Sequence, residues 1–476
     1  MPERVGVIET RGIEPVPGHE RHGRPVGLFW MWFGANMGVL GITLGAALVT
    51  FDGLNPAQAI AVSVIGSAGS FVLVGLLSTA GRRGGVPGLT LSRAVFGVRG
   101  NYGPTVISWL GFVGWETVMC TTAAFALLAV LRLAHLPAGT VTTVVCVLVT
   151  VATAAGIGLF GHATIMWVQK WLTWLFGGLT LVVVAFLTAT VDWHAAWSRP
   201  AGPVSTVVAG AGFIAAGTGL GWLSAGADYA RYLPASTRPG RIVGATVLGS
   251  AVPLVVLISM GALMAAGDRD LAAANDPVAA IGAALPSWML VPYLLTAVAG
   301  LVAAADLSMY SSGLNLITGG VRVRRSTAVG VDAVLITAGA LYVTVVARDF
   351  YGPFTSFLTL LAVPLTGWAG IVLVDLARRA GYDVAGLMDT TRNSPYWYAG
   401  GLHPAAVVAW LAAVVLGFLF TRAVWFTGPF AGTWVGRNSL GWLVAGLTGA
   451  VLYALVRTPA GAPTEHRPAG SEAVHG

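Results

Sequence analysis

The sequence predicts an all-α, polytopic membrane protein of about twelve transmembrane helices. Only 9% of its 476 residues are charged and 56% are hydrophobic, where a soluble chain carries roughly 25% charged residues. Most of the surface must therefore face something other than water. Apolar runs near or above 18 residues recur along the whole chain, each long enough to cross a hydrocarbon layer of roughly 30 Å. The basic residues cluster in alternate loops, the pattern that the positive-inside rule expects of a multi-pass chain.

Apolar runs and breakers place the spans near 27–51, 58–80, 103–131, 140–160, 163–190, 204–228, 242–266, 287–312, 327–347, 354–376, 402–421 and 438–456. Residues 1–26 are polar and rich in Pro and Gly, with no apolar stretch behind a charged start. They read as a cytoplasmic tail, not a signal peptide. Residues 457–476 read as a second, disordered cytoplasmic tail. With the N-terminus inside, twenty of the 26 basic residues fall on the inner side, Lys170 among them. Arg132, Arg199, Arg269, Arg348, Arg422 and Arg437 remain outside. An odd number of spans would put some clusters on the wrong side. The same distribution argues against nucleic acid as the reason for the net charge of +7. Cys120 and Cys146 lie inside predicted helices and read as small hydrophobes. The expected organisation is a ten-helix core over 27–376, divided into 27–190 and 204–376. A loop and two peripheral helices follow over 377–456.

Spans one and six share a feature. Span one, "GLFWMWFGANMGVLGITLGAALVTF", carries Gly34, Asn36, Gly38 and Gly41 near its middle. Span six ends in "GTGLGWLSAGADYARYLP" (217–234), with Gly217, Gly219, Gly221 and Gly226. The two lie five spans apart, so equivalent spans of the two halves run in opposite directions. Glycine-interrupted segments in corresponding positions are the mark of an inverted repeat with broken helices. Unpaired backbone is tolerated in lipid only where it lines a cavity. The alternative is that these glycines only let helices approach closely.

The motifs resemble those of the nucleobase–cation symporter family that contains the purine–cytosine permeases. "WFGANMGVLGITLG" in span one is similar to its "W-x-x-x-N … L-G", and "SRAVFGVRGNYGP" (92–104) to its "S-R-x-x-F-G-x-x-G". "ADYARYLP" (227–234) is similar to its "D-Y-x-R-Y-x-P". "AADLSMYSSGLNL" (304–316) matches its eighth-helix pattern, where an Asn usually stands at the position of Asp306. The matches come in family order over most of residues 24–400. The resemblance implies a leucine-transporter-type fold, two inverted repeats of five helices plus two C-terminal helices. It also implies uptake of a flat nitrogenous ring, a nucleobase or related heterocycle, coupled to H⁺ or Na⁺. The chain would then lie in the cytoplasmic membrane with both termini inside; a monomer is the unit assumed.

A planar heterocycle needs aromatic faces and hydrogen-bonding edges. Trp115 and Trp222 sit where the family places two ring-sandwiching indoles. Tryptophan in membrane helices is more often an interfacial anchor, but both lie well inside their spans. Met119, one turn after Trp115, stands where the family usually has Asn or Gln. A thioether cannot make that paired hydrogen bond, so edge recognition differs and cytosine itself is in doubt. Gly221 offers backbone to the ligand. Asn36 could touch substrate or satisfy broken backbone.

Glu116 and Asp306 are carboxyls deep in apolar helices, where charge is costly and function is the default reading. Protonated, Asp306 donates and accepts as an amide does; ionised, it only accepts. It could bind substrate and carry the proton together, or be held by a backbone donor or an arginine. Glu116 is rotated about 100° from Trp115, toward the cavity edge or another helix. Asp228 and Arg231 read as a gate-closing ion pair where span six returns to water.

Sodium-coupled members of the family carry two hydroxyl residues where this chain has Gly300 and Leu301. A hard cation wants oxygen ligands. Carbonyls near Ala35, Gly38 and Ala297 remain, so H⁺ is expected over Na⁺. A Na⁺-coupled hydantoin, allantoin or vitamin-base carrier is the alternative. No H-E-x-x-H, C-x-x-C or G-x-S-x-G pattern accompanies the eight histidines, which speaks against an enzyme, a cofactor or a metal centre. A channel fits stacked indoles poorly. An amino-acid carrier would bring a carboxylate toward Asp306.

Overall fold

The structure, a computed structural model, describes residues 5–9, 11–267, 277–283, 285–347 and 351–456. Arg4, Arg269, Arg348, Arg457, Arg467 and the expected tail at 457–476 lie outside the described residues.

The first span is two helices, α1 (Pro25–Ala35) and α2 (Leu40–Thr50), bent by 60° across residues 36–39. α3 (Pro56–Gly84) opens on a capping box between Asn55 and Gln58. It closes on Arg82, Arg83 and a left-handed Gly85, the charge and backbone choices that suit a helix C-terminus. Two short helices, α4 (Gly88–Leu91) and α5 (Arg93–Phe96), precede α6 (Tyr102–Leu133), α7 (Thr140–Phe160) and α8 (His162–Thr190). α9 (Trp193–Trp197) leads to the sixth span. That span is α10 (Val204–Gly217), a 3₁₀ turn (Gly219–Trp222) and α11 (Gly226–Ala230).

The second half continues with α12 (Pro239–Gly267), α13 (Pro277–Ala283), α14 (Ser287–Thr318), α15 (Arg325–Leu341) and α16 (Tyr351–Arg378). α17 (Val384–Met388), α18 (Pro404–Leu419), a two-strand hairpin (β1, Arg422–Ala423; β2, Phe426–Thr427), α19 (Trp434–Arg437) and α20 (Gly441–Leu455) complete it. Among the described residues nine helices are long and apolar enough to span a membrane, and the bent α1–α2 pair makes a tenth. The shorter apolar helices α18 and α20 stand where the last two of the twelve spans were expected.

Both glycine-rich spans are interrupted, and the two readings of the span-one glycines hold on different residues. A Cβ on Gly41 would meet Leu257, one on Gly45 the backbone of Ile258, and one on Gly261 of α12 the backbone of Ile42. These glycines let α2 and α12 touch backbone to backbone, the contact that holds helices together where lipid removes the hydrophobic drive. Gly38, at the break itself, would meet nothing closer than Leu301 at 3.8 Å.

The N-terminal segment, expected as a tail, is docked. The amide of Val16, itself buried, donates to Gly85 O (2.9 Å), and Gly23 N donates to Tyr232 O (3.0 Å). Lys170 lies in α8, not in a loop, with its ammonium 5.9 Å from the Trp171 ring centre.

Candidate functional site

The two breaks meet at one cavity. Residues from the first break (Ala35, Asn36, Gly38) and the second (Gly217, Thr218, Trp222) line it together with Trp115 and Met119 of α6. Leu254 of α12 and Gly300, Leu301 and Ala304 of α14 complete the wall. It holds about 480 Å³ of space free of atoms, part of it open.

The walls are aromatic and the edges polar. Trp222 packs edge-on against Trp32 (5.4 Å between ring centres, 82°) and beside Phe112 (6.0 Å). Trp115 is held edge-on by Phe354 and Phe357, each at 6.0 Å. Rings braced this way keep their faces in a fixed orientation, which a stacking ligand requires. The Trp115 Nε1–H is buried and has no hydrogen-bond partner among the described residues, an exception that calls for an explanation. Asn36 Nδ2 donates to Trp32 O (2.8 Å), capping the broken α1. Thr218 Oγ1 donates to Ile214 O (2.6 Å), and Ser70 Oγ of α3 accepts from Gly219 N (3.1 Å). So α3 supplies part of what the second break lacks.

Gly221 is beside the cavity rather than in its lining. A Cβ there would collide with the Trp115 indole, so glycine is what admits that ring. Gly221→Ala is expected to introduce about 1–3 kcal/mol of overpacking, displacing Trp115. A thermal melt with and without ligand should show a smaller ligand-induced shift in this variant than in the wild type.

Below the cavity runs an aromatic column. Trp32 meets Tyr229 edge-on (5.9 Å), Tyr229 stacks on Tyr310 (5.7 Å), and Tyr310 reaches a buried cluster around Glu9. Glu9 Oε1 accepts from the Tyr232 hydroxyl (2.9 Å) and lies 3.7 Å from Arg231 Nη2; Oε2 accepts from His162 N (2.9 Å) and lies 3.9 Å from Arg325 Nη1. The His162 ring stacks on Tyr232 at 3.7 Å. Burial alone would raise the Glu9 carboxyl, but Arg325, Arg231 and the His162 amide outweigh it and hold it below the ordinary carboxylate range. This column joins the cavity wall at Trp32 to the N-terminal segment at Glu9.

The expected Asp228–Arg231 ion pair is corrected. Asp228 Oδ1 accepts from Gly88 N (2.8 Å), toward α4. Arg231 turns the other way, donating to Gly12 O, Tyr232 Oη and Tyr310 Oη, with Glu9 as its counterion. The reason is tertiary: the N-terminal segment brings Glu9 to Arg231, and the Gly88 amide meets Asp228. Nor do they mark a return to water, since Asp228 is 1% and Arg231 0% exposed.

Asp306 and Glu116 are not among the cavity-lining residues. Asp306 lies two positions past Ala304, about 200° further round the helix. Its Oδ1 accepts from Gln169 Nε2 of α8 (3.1 Å), and the Leu307 amide donates to the same carboxyl, so the backbone donor considered from sequence is present beside an amide side chain. Glu116 is fully buried in the seam where α6 meets α14 and α15. Ala297 lines a separate hollow with Met37, Val39 and Leu257. Gly300 does approach the first break, with a virtual Cβ 3.5 Å from Met37 O. Sequence reasoning missed Thr218, Ser70, Gln169 and Glu9. Thr218 sat inside the quoted glycine run and was the one with a signal; Glu9, in a polar terminus, had none.

A family model described as "Permease for cytosine/purines, uracil, thiamine, allantoin" matches residues 15–444. The chain belongs to this family of permeases. One relative is the "Putative purine-cytosine permease YxlA" of Bacillus subtilis (strain 168), 26% identical over 467 residues, covering 95% of this chain and 96% of that protein. Another is the purine-cytosine permease FCY2 of Saccharomyces cerevisiae, 28% identical over 274 residues, with 56% and 49% covered. Among solved structures, Mhp1, a nucleobase-cation-symport-1 family transporter in a closed conformation with bromovinylhydantoin bound, superposes with a TM-score of 0.76 at 19% identity, over 94% of each chain. The permease thus has the leucine-transporter-type fold expected of it. It is a multi-pass membrane transporter and not an enzyme.

Proposed function

We propose that this permease imports a nucleobase or related planar N-heterocycle by alternating access, driven by H⁺. The observation that carries the reading is the single cavity where both helix breaks meet between Trp115 and Trp222. The ring lies between the two indoles, and the unpartnered Trp115 N–H, the Asn36 carbonyl and Thr218 address its edges. Met119 lines the same wall, so the amide contact usual in the family is replaced by backbone and by these groups. The relatives named for purine–cytosine transport and the hydantoin seen in Mhp1 bracket the ligand class. In this reading the chain lies in the cell membrane with both termini in the cytoplasm, an orientation that the arginine distribution supports. The aromatic column and the Glu9 cluster then form the closed inner gate. Residues 27–376 are the transport core in this reading, and α18 and α20 its peripheral pair.

Proton coupling is favoured because Gly300 and Leu301 bring no side-chain oxygen to the first break, and a hard cation is held by oxygen. The test is uptake into proteoliposomes of the compound that gives the largest thermal shift among cytosine, hypoxanthine, uracil, allantoin and benzylhydantoin. An inward pH gradient without Na⁺ should drive accumulation. Uptake that stays strictly Na⁺-dependent at every pH overturns H⁺ coupling and leaves the Na⁺-coupled alternative.

A further inference from the structure

One buried acid pair has no place in the cavity. Glu116 of α6 and Asp332 of α15 are both 0% exposed. Neither Glu116 oxygen has a full hydrogen bond; the Ser308 hydroxyl, equally unpartnered, stands beside it. Asp332 Oδ1 accepts from Trp109 Nε1 (2.8 Å), and the Ser312 hydroxyl stands beside the same carboxyl without a full hydrogen bond. α6 and α15 lie side by side along this stretch: Trp109 bonds Asp332, and a Cβ on Gly339 would touch Thr117, the neighbour of Glu116.

No cation answers the two acids. From α6 they face Trp109 and Cys120, and from α14 the two serines. α7, packed on both α6 and α15, carries no ionisable side chain but Cys146. Arg325, at the start of α15, is occupied by Glu9 and by Gly158 O and Leu159 O. Two uncompensated charges in such a place would cost several kcal/mol each, and like charges at short range do not both persist. A serine hydroxyl beside each acid brings a donor but no charge, so two buried acids without a counterion need a small, positively charged occupant. No group of three or more His, Cys, Asp or Glu able to hold a metal occurs among the described residues.

We propose that Glu116 and Asp332, joined through Ser308 and Ser312, are the site that holds the coupled proton. The inference rests on the proton-driven reading above. Ser308 and Ser312 are one helical turn apart on α14, and the polar stripe continues to Asn315. Its Nδ2 donates to Ser108 Oγ (2.9 Å), and Ser108 shares a hydrogen bond with Ser224 (2.7 Å). The stripe leads from mid-membrane toward the N-terminal face. At its other end Glu116 follows Trp115, whose side chain lines the cavity. Each cycle adds one proton to a carboxylate oxygen of the pair and later removes that same proton; no other bond changes. With the proton bound, the α6–α14–α15 seam carries less charge and closes. With it gone, the seam needs water or a cation. Since α6 also carries Trp115 and Met119, the state of the seam is felt at the ligand.

The test uses full-length protein in proteoliposomes and the compound selected above. Wild-type protein should accumulate it under an inward pH gradient, and adding it should acidify a trapped pH dye. Glu116→Gln and Asp332→Asn should keep exchange of labelled for unlabelled compound but lose gradient-driven accumulation by about tenfold or more and lose the dye signal. Exchange reports a folded carrier, and each variant is judged only where exchange survives. Ser308→Ala, expected to weaken the dye signal, serves if both acid variants fail to exchange. Exchange-competent variants that accumulate like wild type overturn the assignment while proton coupling stands. Wild-type protein indifferent to the pH gradient overturns both.

Discussion

Trp222→Ala is expected to erase the ligand-induced thermal shift, while Trp222→Phe keeps part of it. The Trp222 ring is one wall of the cavity and stands on Trp32 and Phe112. Removing an aromatic platform from under a heterocycle costs about 1–3 kcal/mol, or roughly 5–150-fold in Kd. Here the loss is compounded, because the Trp32 edge is freed to fill the space the ligand needs. The ligand-free protein should also melt earlier, since a buried Trp→Ala change costs about 3–5 kcal/mol. Phenylalanine keeps a flat face and most of the contact with Trp32, so it separates loss of stacking from loss of fold. Isothermal titration of both variants with the best-binding heterocycle decides the matter. Undiminished affinity in Trp222→Ala would remove the proposed binding mode.

Glu9→Ala is expected to release the N-terminal segment. The Glu9 carboxylate is the counterion of Arg231 and Arg325, whose side chains are 0% and 3% exposed. Removing one partner of such a cluster typically costs about 3–5 kcal/mol, because a charge is left buried and unpaired. The protein has a cheaper response than global unfolding: the segment lifts and water reaches both guanidiniums. Trypsin should therefore cut at Arg11 and Arg21 faster in Glu9→Ala than in the wild type. The pH dependence follows from the lowered Glu9 carboxyl. An acid whose folded value lies below the unfolded 4.5 contributes fully above about pH 4.5 and is lost as pH falls through the folded value. Protection of the segment should hold at neutral pH and fade in acid. Equal cleavage rates in wild type and variant would show that Glu9 does not hold it.

Much of the architecture was legible because lipid imposes length and apolarity residue by residue. The predicted and observed bounds of α7, at 140–160, coincide, and the two interrupted spans stood out because glycine and polar residues are anomalous in an apolar run. Trp115, Met119, Trp222 and Asn36, singled out from local pattern and family resemblance, line one cavity, and Ala35 and Gly38, expected as carbonyls for a coupled ion, line it too. The charged residues behaved differently. Asp306 turned to Gln169, Arg231 to Glu9, and Glu116 to the seam with Ser308, none of which is near its partner in the chain.

The sequence by itself determined that the chain crosses a membrane repeatedly, where its helices run, and where two of them break. Those properties follow from side-chain transfer into hydrocarbon and from the backbone freedom of glycine, and both act locally. Only the tertiary structure decided which acid meets which donor, and that the polar N-terminus is folded against the core. A helical residue's partner depends on how each helix is rotated against its neighbours, and two residues, about 200°, were enough to turn Asp306 from the cavity to α8.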